Sequence, residues 1–156
     1  MADTLVLHNT TSKSLETFVP IDTHTVCVYS CGPTVYHYQH IGNMRAAVFA
    51  DTLHRTLSFL GYHVKHVINI TDVGHLTSDG DTGEDKLEKG ARREGKTAWE
   101  VATFFTDAYF KDLSRLNIDL GEYIFPRATD HIKEQLELIS KLAETGYTYI
   151  ISDGVY

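Results

Sequence analysis

Residues 29–43 read YSCGPTVYHYQHIGN. A thiol, Cys31, stands directly before a Gly-Pro pair, Gly32 and Pro33. Nine residues later His40 opens a His-Ile-Gly-Asn run that Gly42 and Asn43 close. A thiolate is a soft ligand. An imidazole and a carboxamide three residues apart can donate hydrogen bonds, and a glycine between them lets a ligand approach the backbone. The stretch therefore combines groups that grip a phosphate with a group that binds something soft. An ordinary loop needs neither.

Regular elements must hold such groups. TLVLHN (4–9) and LETFVP (15–20) flank the polar TTSKS and predict an N-terminal hairpin. TVCVYS (25–30) predicts a short strand, and CGPTVYHYQHIG (31–42) the loop after it. A helix is expected from Asn43, with Ala46, Phe49, Leu53, Leu57 and Leu60 along its buried face. Gly61 stands where a left-handed C-terminal cap is wanted. HVKHVINI (63–70) is the next strand. Strand, loop, helix, strand is a βαβ unit, which implies a parallel pair with a right-handed crossover. Ligands of open α/β sheets sit beyond the carboxyl ends of the strands, where Cys31 to Gly42 fall. The first turn of the helix would add unpaired N–H groups, an anion site. No Walker loop or GxGxxG is present; the spacing fits a His-x-Gly-His type of nucleotide signature with Asn in the last place.

Beyond Ile70, TDVGHLTSDGDTGEDK (71–86) predicts a polar surface loop and EDKLEKGARREG (84–95) a short charged helix. Thr97 and Glu100 form a capping box for a helix that buries Val101, Phe104, Phe105 and Ala108. Thr129 or Asp130 is expected to cap a further helix through Ile132, Leu136, Ile139 and Leu142, ended by Gly146. YTYII (147–151) is a strand, and the chain stops just into its return, as a piece of something longer would.

Composition narrows the classes of function. The 156 residues are 42% apolar and 22% charged, which suits a globular domain with a real core. No apolar run nears the roughly 20 residues of a membrane span. The N-terminus lacks the basic and apolar regions of a signal peptide. Two cysteines are too few for a disulfide scaffold, so a cytoplasmic protein with reduced thiols is expected. A net charge of −7 argues against nonspecific nucleic-acid binding by the whole surface, DNA included.

Four segments together carry a family resemblance: CGPTVY (31–36), HIGNMR (40–45), NITDV (69–73) and GEDK (83–86). With LHNT, FVP and SDGVY nearer the ends, the chain resembles the N-terminal part of a class I cysteinyl-tRNA synthetase over nearly its whole length. The resemblance implies an α/β, Rossmann-like parallel sheet with flanking helices and a connective insertion in which the chain stops. It divides the chain into an N-terminal hairpin (1–24), the first half of the nucleotide-binding domain (25–120) and the start of the insertion (121–156).

It also implies the chemistry. Cysteine and ATP, with Mg2+, would give cysteinyl-adenylate, and the cysteinyl group would then pass to tRNA(Cys). His40 and Asn43 would stabilise charge on the phosphates during attack at the α-phosphorus. Gly32, Pro33, Thr34 and Gly42 would complete the ATP site. Cys31, Gly32 and Thr71 would contact the amino acid, Cys31 as one of four ligands of a Zn2+ ion that binds the substrate thiolate. A metal–thiolate bond would reject serine better than an apolar pocket, which separates near-isosteres by only about 10²-fold.

The family's other three zinc ligands, its Lys-rich ATP signature and its anticodon-binding domain lie outside these residues, so the chain alone is expected to be catalytically silent. Two other readings stand beside this one: a related ligase that joins cysteine to an amino sugar in thiol-cofactor synthesis, and a non-catalytic nucleotide-binding relic. Plainer readings apply elsewhere. Cys27 is expected in the core, about 13 Å along an extended strand from Cys31. His37 is a surface loop residue, and His63 and His66 are partly exposed. The acidic loop lacks EF-hand spacing, KGARREGK (89–96) is a charged helix face, and Phe104, Phe105, Tyr109 and Phe110 are core.

Overall fold

The computed structural model describes residues 5–73, 91–92, 95–152 and 154–156. A hairpin of β1 (Val6–Asn9) and β2 (Ser14–Thr17) comes first. β3 (Thr25–Ser30), α1 (Ile41–Phe59) and β4 (His63–Ile68) form the expected βαβ unit, with β3 and β4 parallel. α2 (Ala98–Arg115) follows, and then β5 (Tyr123–Ile124) adds a third parallel strand beside β4. The order β3-β4-β5, with helices on the sheet, is a Rossmann-like α/β arrangement. Next come α3 (Ile132–Glu144) and a two-stranded ribbon of β6 (Ile150–Ile151) and β7 (Gly154–Val155). The acidic loop and most of the charged helix expected before α2 lie outside the described residues.

β5 has only two residues, too few to show a period of two, and the sequence offers no sign of it. Register puts Val28, His66 and Tyr123 side by side on one face of the sheet. That face carries the core: Ile68, Ile70 and Tyr123 pack with Val101, Phe105, Tyr109 and Leu113 of α2, and Met44 and Ala47 of α1 lean on the same cluster. On the opposite face Cys27, Tyr29, Lys65 and Ile124 are exposed. Cys27 is exposed, not in the core, because its position in the pleat points it away from both helices.

Several sequence expectations shift. α1 begins at Ile41, two residues earlier than expected, because His40 itself caps it. Its buried side is Ala50, His54 and Leu57, and Phe49 is 71% exposed. The small alanines let the helix approach the sheet, which turns the aromatic ring outward. His66 is fully buried rather than partly exposed. It stacks on His54 with ring centroids 5.7 Å apart, and its Nε2 lies 2.8 Å from Ser30 Oγ. Burial and the neighbouring His54 lower its pKa.

In α2 the Thr97–Glu100 capping box forms as expected: Thr97 Oγ1 accepts from the Glu100 N–H, and the Glu100 carboxylate accepts from the Thr97 N–H at 2.8 Å. Phe105 and Tyr109 are buried, but Phe104 is exposed, since it sits one residue off the face that meets Ile68 and Ile70. Thr129 does not cap α3. Its N–H and hydroxyl both donate to the buried Asp72, and α3 starts at His131 without a side-chain cap. Gly146 follows α3 with φ +79°, the left-handed turn expected there.

Candidate functional site

The loop after β3 continues the sheet instead of leaving it. Thr34 bridges Thr71 in parallel fashion, the Val35 N–H donates to Thr71 O, and the Thr71 N–H donates to Pro33 O at 3.0 Å. Gly32 is wedged against the end of β4: a Cβ there would fall 1.7 Å from the Asn69 carbonyl oxygen. No other residue fits without moving a strand. Pro33 and Val35 are buried, and Cys31 and His40 are exposed. The residues singled out in the sequence therefore gather at the carboxyl end of β3 and β4.

His40 and Asn43 form a reciprocal cap on α1. His40 Nδ1 accepts from the Gly42 N–H at 3.0 Å and from the Asn43 N–H at 3.3 Å. Asn43 Oδ1 accepts from the His40 N–H at 3.1 Å. Two consequences follow. Nδ1 needs its lone pair for the cap, so the proton of the neutral ring sits on Nε2. Asn43 spends its oxygen inward, so its amide nitrogen is left to face outward. The cap thus sorts both side chains into outward donors. It also occupies two of the helix N–H groups that the sequence suggested as an anion site. Gly42 serves this cap directly, since a Cβ would lie 2.9 Å from His40 Cε1.

Two cavities meet here. One, of about 80 Å³, is lined by Cys31, Gly32, Asn43, Ile68 and Tyr109 among others. The other, of about 300 Å³, is lined by Gly32, Thr34, His37, His40 and Asn43. Gly32, Pro33, Gln39 and Asn43 line both. Burial pushes the Tyr109 hydroxyl up to about 12, so it stays protonated in the smaller cavity. His37, exposed as expected, stacks flat on Phe105 at 6.0 Å.

Sequence reasoning missed three contributors. Tyr109 looked like one aromatic among several. Gln39, whose amide donates to Thr34 O and His37 O, carried no signal. Asn69 stood inside a quoted motif and did carry one: it is a polar residue that interrupts the apolar end of a buried strand.

The model of the family described as tRNA synthetases class I (C) catalytic domain matches residues 17–156. The chain belongs to this family. As a class I (C) synthetase chain it has close relatives. It is 51% identical over 152 residues to the cysteine–tRNA ligase of Zymomonas mobilis, covering 97% of this chain and 29% of that protein. It is 51% identical to the cysteine–tRNA ligase of Treponema denticola and 52% identical to cysteine–tRNA ligase 1 of Burkholderia lata, with 31% and 32% of those proteins covered. The class I (C) synthetase chain thus spans under a third of the length of the relatives it matches. Among its described residues no helix is long and apolar enough to cross a membrane.

Proposed function

We propose that this chain supplies the nucleotide-gripping and part of the cysteine-binding half of a cytoplasmic cysteine–tRNA ligase. In this reading ATP, as its Mg2+ complex, and L-cysteine react to cysteinyl-adenylate and pyrophosphate, and the cysteinyl group then moves to tRNA(Cys). The observation that carries it is the His40–Asn43 cap beside the Cys31 cavity. The outward Nε2–H of His40 and the Asn43 amide would donate to phosphate oxygens as charge moves onto them. Both donors are held before substrate arrives, which is what makes electrostatic stabilisation effective. Gly32, Pro33, Thr34 and Gly42 would form the ATP-facing wall, and Cys31, Gly32 and Thr71 the amino-acid side. Asn43 is neutral, so it adds a dipole and no cationic charge.

Zinc is a separate matter. Cys31 offers one exposed thiol, and among the described residues no group of three or more His, Cys, Asp or Glu could hold a metal ion. These described residues do not by themselves make up a zinc site.

The test is cysteine-dependent ATP–pyrophosphate exchange by the full-length gene product, with serine as control. Exchange with cysteine alone is expected, and His40→Ala is expected to slow it by on the order of 10²–10³-fold. Residues 1–156 by themselves are expected to give none. Exchange that ignores the amino acid would sink the reading.

A further inference from the structure

One side chain joins the two residues placed on the amino-acid side. Asn69 Oδ1 accepts from the Gly32 N–H at 2.9 Å and from the Tyr29 hydroxyl at 2.9 Å. Asn69 Nδ2 donates to Thr71 Oγ1 at 2.9 Å. The sense of these bonds is not arbitrary. A backbone N–H can only donate, so the atom facing Gly32 must be the amide oxygen. The nitrogen is then turned to Thr71, whose oxygen must accept. Thr71 keeps its own hydroxyl proton, and no acceptor for it occurs among the described residues.

The backbone around this bond is locked. Thr71 N–H and C=O are both taken by Pro33 and Val35, and Gly32 sits so close to the Asn69 carbonyl that it has no room for a side chain. Of the polar groups of Thr71 only the hydroxyl is left to respond to a ligand, and Asn69 decides how it is oriented.

We propose that Asn69 is a positioning residue for the amino-acid substrate. It aligns Gly32 with Thr71 and turns the Thr71 hydroxyl so that its proton, and not only its lone pairs, is available to the bound cysteine. The inference rests on the cysteine-activation reading above. It goes further by giving a role to a residue that touches neither substrate.

Asn69→Asp tests it in the full-length protein. The shape is kept, and the bonds from Gly32 and Tyr29 persist. The carboxylate, however, can only accept, so it captures the Thr71 proton and reverses that bond. The expected result in ATP–pyrophosphate exchange is a KM for cysteine raised on the order of tenfold, with the KM for ATP unchanged. Tyr29→Phe removes one of the bonds to Oδ1 without touching Thr71, and should leave both constants near wild type. Thr71→Val should raise the cysteine KM by itself, and Asn69→Asp added to it should cost nothing more. Asn69→Ala serves the same comparison if the charged variant does not fold. Equal rises in both KM values, or additive effects of the two sites, would overturn the role. A wild type without cysteine-dependent exchange would remove the functional reading itself. Normal wild-type exchange with an unchanged Asn69→Asp variant would remove only this inference.

Discussion

α2 and α3 both show an apolar stripe at helical spacing, and they end in opposite situations. α2 buries Val101, Ala102, Phe105, Thr106, Tyr109 and Leu113 against the sheet. α3 buries none of its residues: Ile132, Leu136, Ile139 and Leu142 are all exposed. The starts differ too, since Thr97 and Glu100 cap α2 reciprocally while α3 begins at an uncapped His131. A stripe states that a helix has a face to cover. It does not state what covers it; α2 meets Ile68 of β4 and Tyr123 of β5, together with Val35, Ile70 and Ile118 from the segments beside them.

The sharpest way to break this contrast is to truncate one residue in each stripe. Leu113→Ala, at 1% exposure, is expected to destabilise the chain by about 2–5 kcal/mol in urea unfolding. Leu136→Ala should stay within about 0.5 kcal/mol. Comparable losses at both sites would mean that α3 is packed as firmly as α2.

Histidines sharpen the same contrast. His66 lies in the body that α2 covers, and its folded pKa is lowered by burial first and by His54 second. The unfolded chain therefore binds the extra proton more readily. Stability from this group is full above the ordinary histidine value of about 6.5 and is lost as pH falls from there toward the lowered folded value. The charged groups around this pair are Asp51 and Arg55 on α1, with Glu122 and the Tyr123 hydroxyl beside them. Asp51 opposes this lowering at His66 without overcoming it, and Glu122 lies 3.7 Å from His54 in an exposed position. The unfolding free energy measured by urea titration from pH 7 to 5 should fall, with a slope no steeper than about 1.4 kcal/mol per pH unit from this group. His66→Phe should flatten it. A slope untouched by His66→Phe would assign the acid sensitivity elsewhere.

The smallest effect concerns the caps. Thr97→Ala is expected to cost about 1 kcal/mol, and His131→Ala close to nothing. Thermal melts of the two variants decide between a local difference and a shared one.

The contrast also explains what the sequence could convey. The βαβ unit was legible because strands of six residues and a helix of 19 carry enough positions to show their periods. The Thr97 cap was legible because it is local. Phe49 and Phe104 misled because each helix has apolar residues on more than one side, and only the partner's shape selects among them. Cys27 and His66 were exchanged in their expected burial for the same reason: alternation separates two faces without saying which one the helices cover. At the candidate site the residues types stood out, and their grouping followed from βαβ geometry. The orientation of each donor did not, because it depends on bonds between the cap and the loop.

The bond from Gly32 to Asn69 spans 37 positions in the chain. A growing polypeptide that has only just exposed the thiol loop has nothing to fasten it to. The loop gains its shape when β4 emerges and zips onto β3, so strand pairing and site assembly are one event. Any lesion that delays that pairing during synthesis would delay the birth of a binding site as much as the birth of a fold.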